Sequence, residues 1–575
     1  MQGIHRGMLA SVMTEQDLRA LIARGESLTL EFKRDAPLGD DELVEAVVCL
    51  ANTEGGTLLL GVEDDGTVSG LHDSHLPAHP RALEALIANR TIPGVRLSVQ
   101  LVDVGGKLVA VLEVTKAPGV VQSSDGRSFH RFWAGGGEPE CRPMRPNEIA
   151  SRLAHLGKLD YSAQVLHRAA WKDLDPLEFE RLKQEVERNS RADKSLLELS
   201  NEALAQALEL VVESSGRLVP TVAGVLLVGH EKAIRDFVPT HEAAFQVLRP
   251  KQRVEVNEFF RGPLVKLFRR FEDFLVARNP EEEFSLGIQR IGVPRYSLEA
   301  FREALANALV HRDYTLNYMV QVKIDHVEGG LVITSPGGFV EGVGIDNLLI
   351  TGPRPRNRVL ADAFKRLGLV ERAGRGVERI FEYVLELGRP APSYAGSDRS
   401  SVRVFLPGGD ADLAFVKFII ELKDRQQQPL DWRLLLLLRR VADEGELTTA
   451  EAAGLIQREA AQARGLLESM VEQGLLEAKG VKRSRSYHLS AGVYERLGKT
   501  AAYVRRRGVD EIQQEQMVIR YLQQYGRIKR RDVMELLPQL NRDQASYLLR
   551  RMAEKGVLEA FGEKRGRFYE LSEKT

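Results

Sequence analysis

The sequence predicts a multidomain chain built of α/β and α+β units. Three observations predict it: a length of 575 residues, an interleaving of strand-like and helix-like apolar patterns over most of the chain, and an order of parts that repeats near the C-terminus. A single core does not extend over so long a chain, and roughly 150 residues per domain gives about three to five units. Apolar residues make up 43% and charged residues 28%, an ordinary globular balance that excludes extensive disorder. No apolar run approaches the roughly 18 residues of a membrane span, and the N-terminal segment lacks an apolar signal core, so a cytoplasmic location with no membrane partner is expected. Cys49 and Cys141 are the two cysteines. They supply neither a disulfide framework nor a four-cysteine zinc site, and point to a reducing compartment. The net charge of -1 hides an asymmetry: from Lys479 onward there are 22 Lys and Arg against 12 Asp and Glu. Such a positive field raises the local concentration of phosphate, although a solvated basic surface would read the same way.

The first unit is expected over residues 1–150. Leu28, Leu30 and Phe32 alternate with Thr29, Glu31 and Lys33, the pattern of a half-buried strand. Asp40 or Asp41 can cap a helix carrying Leu43, Val44, Val47 and Val48, which ends near Asn52 and Gly55-Gly56. A buried strand follows over Gly56 to Val62, then the turn Asp64-Asp65-Gly66, then a strand over Leu108 to Val114.

Three blocks in this unit, Glu26-Ser27 through Glu31-Phe32-Lys33, Ala51-Asn52-Thr53-Glu54-Gly55-Gly56 and Gly61-Val62-Glu63-Asp64, resemble the Schlafen AlbA-type domain in their order. The resemblance implies a metal-dependent nuclease site of two glutamates and an aspartate, matched here by Glu26, Glu31 and Asp64, with Lys33 beside them on phosphate. Clustered carboxylates suit Mg2+ or Mn2+, which lower the pKa of an attacking water and stabilise the leaving oxygen. Read as plain chemistry, Glu31 and Lys33 are equally a solvated strand face and Asp64 a turn former. Cleavage and binding without catalysis both stay open. The zinc site of vertebrate Schlafens has no counterpart, since no cysteine cluster is present. No G-x-x-x-x-G-K-[ST] run occurs in the chain, which argues against a helicase or P-loop NTPase.

Residues 151–290 read as a connecting α/β region with an apolar strand at Val222 to Val228. From Ser297, a cap residue, a helix carries Glu303, Asn307 and His311 at i, i+4 and i+8, on one face. The longer pattern runs from Arg302-Glu303-Ala304 through Asn307-Ala308 to His311-Arg312-Asp313-Tyr314. It continues with Ser335-Pro336-Gly337-Gly338, Arg356-Asn357 and Gly374-Arg375-Gly376. It resembles the ATP-binding-like domain that accompanies Schlafen AlbA domains in bacterial transcriptional regulators, a divergent branch of the GHKL ATPases. The resemblance implies a GHKL-like α/β sandwich over 291–410 that takes ATP with magnesium, Asn307 coordinating the metal and Glu303 activating water. His311, Ser335, Gly337, Gly374 and Gly376 complete the nucleotide site. Where active ATPases read adenine through aspartate, this chain has Ser335, and the base contact is in doubt.

Two C-terminal segments, 425–492 and 510–573, repeat helix, helix, helix, strand, basic turn, strand, the shape of a winged helix. In the second, Arg542, Gln544, Ser546, Tyr547 and Arg550 on the third helix are candidates for base edges or phosphates. Lys564, Arg565 and Arg567 lie on its turn, as Arg483 and Arg485 lie on the turn of the first. The expected function is a nucleic-acid-binding regulator, a DNA-binding transcriptional regulator of duplex sites with nucleotide sensing. The alternatives are a Schlafen-type endonuclease acting on RNA or DNA in stress or phage defence, and an adaptor using winged helices for protein contacts. A homo-oligomer is expected by analogy with symmetric readers of palindromic sites.

Overall fold

A computed structural model describes residues 13–35, 40–72, 80–135, 137–286, 289–370, 374–480, 485–498, 510–537, 540–562 and 567–572. The chain divides into two compact units: Met1–Arg278 with Leu298–Ile380 and Pro392–Leu406, and Asn279–Ser297 with Phe381–Ala391 and Pro407–Thr575. None of the described helices is long and apolar enough to cross a membrane.

In the first unit, β1 (Leu30–Lys33) pairs in parallel with β2 (Gly56–Leu60), and β3 (Leu97–Val104) and β4 (Lys107–Val114) complete a sheet of order β1-β2-β4-β3. Helix α1 (Asp40–Asn52) joins β1 to β2. Its residues from Ala46 to Asn52 are all buried, because the helix is covered on one side by the sheet and on another by the hairpin β5 (Phe129–Trp133) and β6 (Pro139–Pro143). Β1 is likewise buried on both faces, with Glu31 only 5% exposed. The half-buried strand expected from alternation is thereby corrected. A hairpin distant in sequence covers the face that pattern alone assigns to solvent.

The motif residues do structural work here. The Asn52 amide donates to the carbonyls of Val121 at 2.8 Å and Phe129 at 2.9 Å, and its oxygen accepts from the Val121 N–H at 2.8 Å. The Thr53 hydroxyl donates to Cys49 and accepts from the Arg131 N–H. A Cβ on Gly56 would stand 2.1 Å from the Thr29 carbonyl oxygen, so the close approach of the start of β2 to the residue that leads into β1 requires glycine there. Cys49 in α1 and Cys141 in β6 are joined by a disulfide. The pair was expected to point to a reducing compartment, and as a bonded pair it does not.

Val222–Val228, expected as a strand, is a helix (α2) in which all seven residues are buried. Thr221 caps it by accepting from the Gly224 N–H at 3.1 Å. An apolar run buried all round carries no period that separates strand from helix, and the cap decides.

The second sheet of this unit has five strands in the order β8-β7-β9-β10-β11: β7 (Ala243–Arg249), β8 (Arg253–Phe260), β9 (Val320–Asp325), β10 (Gly330–Pro336) and β11 (Ser401–Pro407). Β7 and β9 run parallel while β8 and β10 pair antiparallel with them. Helix α3 (Leu298–Val310) packs on β9 and β10 and beside α4 (Arg358–Arg366). The polar stripe of α3 therefore emerges at its C-terminal end, next to the end of β10.

In the second unit the helices α5 (Trp432–Glu444), α6 (Thr449–Leu455) and α7 (Ala460–Glu472) precede the pair β12 (Leu476–Lys479) and β13 (Ser486–Leu489). Thr448 and Glu451 form a capping box at α6. The same order recurs in α8 (Asp510–Tyr525), α9 (Arg530–Leu536), α10 (Arg542–Glu554), β14 (Leu558–Phe561) and β15 (Phe568–Leu571). Val518, Leu522, Val533, Leu548, Leu549 and Met552 belong to its core.

Replacing Asn52 with alanine removes three buried hydrogen bonds and strands two carbonyls and one N–H. A loss of roughly 3 kcal/mol is expected in the stability of the first sheet. Native-state hydrogen exchange of the β2 and β4 amides measures it; unchanged protection would deny Asn52 this role.

Candidate functional site

Seven residues singled out from the sequence, Glu303, Asn307, His311, Ser335, Gly337, Gly374 and Gly376, line one cavity of about 450 Å³. Glu303, Asn307 and His311 come from the α3 stripe and its C-terminal exit. Ser335 and Gly337 come from the end of β10, and Gly374 and Gly376 from the turn that leads into the helix Gly376–Glu386. A Cβ on Gly376 would lie 2.2 Å from Glu303 Oε1, so a side chain there would displace the carboxylate. Gly337 has φ +92°, and a Cβ there would meet the Asp313 side chain at 2.7 Å.

A buried network fixes the site's floor. Arg356 and Asp313 are an ion pair at 3.7 Å, each side chain 2% exposed. Arg356 donates to the carbonyls of His311 at 3.0 Å and Gly338 at 2.7 Å, and Asn357 donates to Val310 and Arg312, both at 2.8 Å. The bonds to Val310 and His311 satisfy carbonyls that the end of α3 leaves without helical partners. Burial, and then the Arg356 guanidinium, push His311 down to about 4, so it faces the cavity as a neutral imidazole. Burial, and then Glu303, raise the Tyr394 phenol, which also lines the cavity. The Ser335 hydroxyl donates to the Ala308 carbonyl at 2.6 Å. Its proton is committed to α3, whereas an aspartate would offer two accepting oxygens. Arg354, Lys365 and Tyr394 also line the cavity. Sequence reading missed them because no helical or strand period relates them to the stripe.

The N-terminal carboxylates are arranged differently from expectation. Glu31 forms an ion pair with the buried Arg131 and lies 2.6 Å from Lys33 Nζ. Glu26 Oε1 accepts from the Phe32 N–H at 2.7 Å. Burial lowers the Arg131 pKa, and the charge of Glu26 works against that. The cation at Glu31 is thus a guanidinium of the chain itself, and Lys33 is engaged by Glu31 rather than offered to phosphate. Asp64 is exposed in its turn. Among the described residues no group of three or more His, Cys, Asp or Glu side chains is placed to hold a metal. The expected Glu26, Glu31 and Asp64 metal site does not fit this arrangement.

In the second repeat, Arg542, Tyr547 and Arg550 are exposed on α10, with Tyr547 at 62%. Gln544 is used locally, its side-chain oxygen accepting from the Asn541 N–H at 2.9 Å, and the Ser546 hydroxyl bonds back to Arg542. Arg567 is exposed. Arg483, Lys564 and Arg565 lie outside the described residues. In the first repeat Glu468 on α7 holds Arg485 at 2.8 Å and the Tyr487 hydroxyl at 2.7 Å, so this arginine is folded back on the third helix of its repeat.

Two outcomes are expected. Stability should fall as pH drops from about 6.5 toward 4, because the unfolded chain takes up a proton that native His311 refuses. In His311→Asn that part of the acid limb should flatten in melting curves across this window. Separately, magnesium or manganese should leave the melting temperature of the N-terminal domain unchanged; a rise that disappears in Glu31→Gln would restore the metal site.

Residues 26–135 match the Schlafen AlbA_2 family model, and residues 320–406 match the model described as "Putative ATP-dependent DNA helicase recG C-terminal". Residues 152–244 match a domain of unknown function, DUF8451. No curated protein matches the chain. Among solved structures, the DIP2311 protein of Corynebacterium diphtheriae is 21% identical with a TM-score of 0.48, over 96% of this chain and 98% of that one. The N-terminal domain of a RecG-related protein from Nitrosomonas europaea is 29% identical with a TM-score of 0.15, over 18% of this chain and 75% of that one. The chain is thus a nucleic-acid-related protein that joins a Schlafen AlbA_2 N-terminal domain to an HATPase-like domain of the RecG C-terminal type.

Proposed function

We propose that this protein is a nucleotide-sensing, DNA-binding transcriptional regulator. The observation that carries the reading is the convergence of Glu303, Asn307, His311, Ser335, Gly337, Gly374 and Gly376 on one cavity, residues drawn from three separate stretches of sequence. A cavity of this size, apolar along much of its wall and carrying a few placed polar groups, is the form of a small-molecule site. ATP is the proposed ligand. Asn307, with Glu303 beside it, offers the hard oxygen donors that suit a magnesium ion on the nucleotide phosphates, which would neutralise phosphate charge. Arg354, Lys365 and Arg375 line the same cavity and supply cations for the phosphates.

Duplex DNA is the proposed partner of the second C-terminal repeat. Its third helix exposes two arginines and a tyrosine, the groups that reach phosphates and base edges from a major-groove helix. The first repeat, with Arg485 held by Glu468, suits this role less. The proposal includes a homo-oligomer, the usual form in which such modules read paired half-sites, acting in the cytoplasm.

Replacing Arg542 and Arg550 together with alanine should weaken duplex binding and lower the slope of log K against log salt by about 2, one unit for each phosphate contact removed. Fluorescence titrations at several salt concentrations test this, and an unchanged slope assigns α10 to other contacts. For the cavity, Asn307→Ala should remove magnesium-dependent ATP binding in calorimetry while the melting temperature holds. Equal affinity in the variant rejects the assignment.

A further inference from the structure

The segment from Gly337 to Val343 belongs to the cavity on one side and to the N-terminal domain on the other. Gly337, Phe339, Val340 and Val343 line the cavity. Between them Glu341 points its carboxylate the other way, to Lys116 Nζ at 3.0 Å and His155 Nε2 at 3.2 Å. Its N–H donates to the His155 carbonyl at 3.0 Å, and its own carbonyl accepts from Arg354 at 3.1 Å. Arg354 is itself a lining residue of the cavity.

Lys116 follows β4 and also lies 3.3 Å from Glu54, inside the Ala51–Gly56 motif. The other oxygen of Glu54 meets Arg399 at 3.4 Å. The Arg399 carbonyl accepts from the Gly338 N–H at 3.1 Å, which returns to the segment where the path began. Glu341, Lys116, Glu54, Arg399 and Gly338 therefore close a ring that joins the N-terminal domain to the wall of the cavity. Burial raises the Glu341 carboxyl, yet Lys116, His155 and Arg152 more than reverse this and hold it below the usual carboxylate range.

Each pair is partly exposed, and a lone surface pair contributes about 0–1 kcal/mol. Ordinary domain packing would account for one such contact. What it does not account for is that the backbone of the same segment forms the cavity wall, that Arg354 joins cavity to ring, and that the far end of the ring is the motif helix turn of the N-terminal domain.

We infer that Glu341 couples the cavity to the Schlafen AlbA_2 domain: a polyphosphate ligand that draws Arg354 or shifts the Gly337–Val343 wall alters the Lys116–Glu54 contact. The inference rests on the nucleotide reading of the cavity. By linkage, a polyanion that takes Lys116 from Glu341 changes nucleotide affinity by the same factor, for which 5-fold is the low end of the usual range.

The test is hydrogen exchange of the full chain with and without magnesium ATP, beside calorimetry of ATP binding. In the wild type ATP should change exchange in 51–56 and 114–117, whose amides are hydrogen-bonded between Gly56 and Val114 and from Ala117 to Ala51. Glu341→Gln should still bind ATP and lose that distant change, and Lys116→Met should lose it from the other side of the contact. If ATP binds and the change stays within 298–406, or persists in both variants, the coupling is overturned. If ATP gives no binding heat in the wild type, the nucleotide reading falls and the coupling falls with it.

Discussion

The cavity depends on a buried ion pair. Arg356 and Asp313 are both nearly inaccessible, and taking two charges out of water costs several kcal/mol per ion unless further hydrogen bonds accompany their attraction. Here the remaining valences are used. Arg356 reaches the carbonyls of His311 and Gly338, while Asp313 accepts from the Ser151 hydroxyl at 2.5 Å and its N–H donates to the Pro336 carbonyl. The exit of α3, the end of β10 and the Gly337 turn are thereby held by one pair of side chains. Without it the end of α3 would need other partners for its carbonyls, and the residues that face the cavity would lose their common frame.

A second arginine plays a comparable part in the N-terminal domain and has the opposite functional consequence. Arg131 sits in a place where clustered carboxylates suggested a divalent cation. Its guanidinium pairs with Glu31 and feels the charge of Glu26, while its backbone N–H is taken by Thr53. The hairpin that delivers it also covers α1, so the groups that recommend a nuclease in sequence contribute here to holding a helix, a sheet and a hairpin together.

Glycines leave room for two of the carboxylates at the cavity. At Gly376 a side chain would collide with the Glu303 carboxylate, and at Gly337 with Asp313. Ser335 illustrates how a substitution changes the chemistry of a wall without changing its shape. Its hydroxyl proton goes to Ala308, which ties β10 to α3 and removes the carboxylate that the resemblance associates with adenine.

Much of the fold was legible in the sequence. The three N-terminal blocks identified the first domain, the Glu303, Asn307 and His311 stripe announced a polar helix face, and the repeated C-terminal pattern gave each helix its approximate place. Local rules sufficed there because caps, turns and periodicity act over a few residues. Thr448 with Glu451 and Asn541 with Gln544 are such cases. Local rules failed where burial is decided from afar: at Val222–Val228, enclosed on every side; at β1, covered by a hairpin about a hundred residues away; and at the two cysteines, 92 residues apart and bonded. The sequence by itself determined which residues carry charge, cap helices and permit tight turns. Only the tertiary structure decided which of them meet. A carboxylate's surroundings are set by what the rest of the chain brings within about 4 Å, which put an arginine at Glu31 and placed Glu303 on the wall of a cavity.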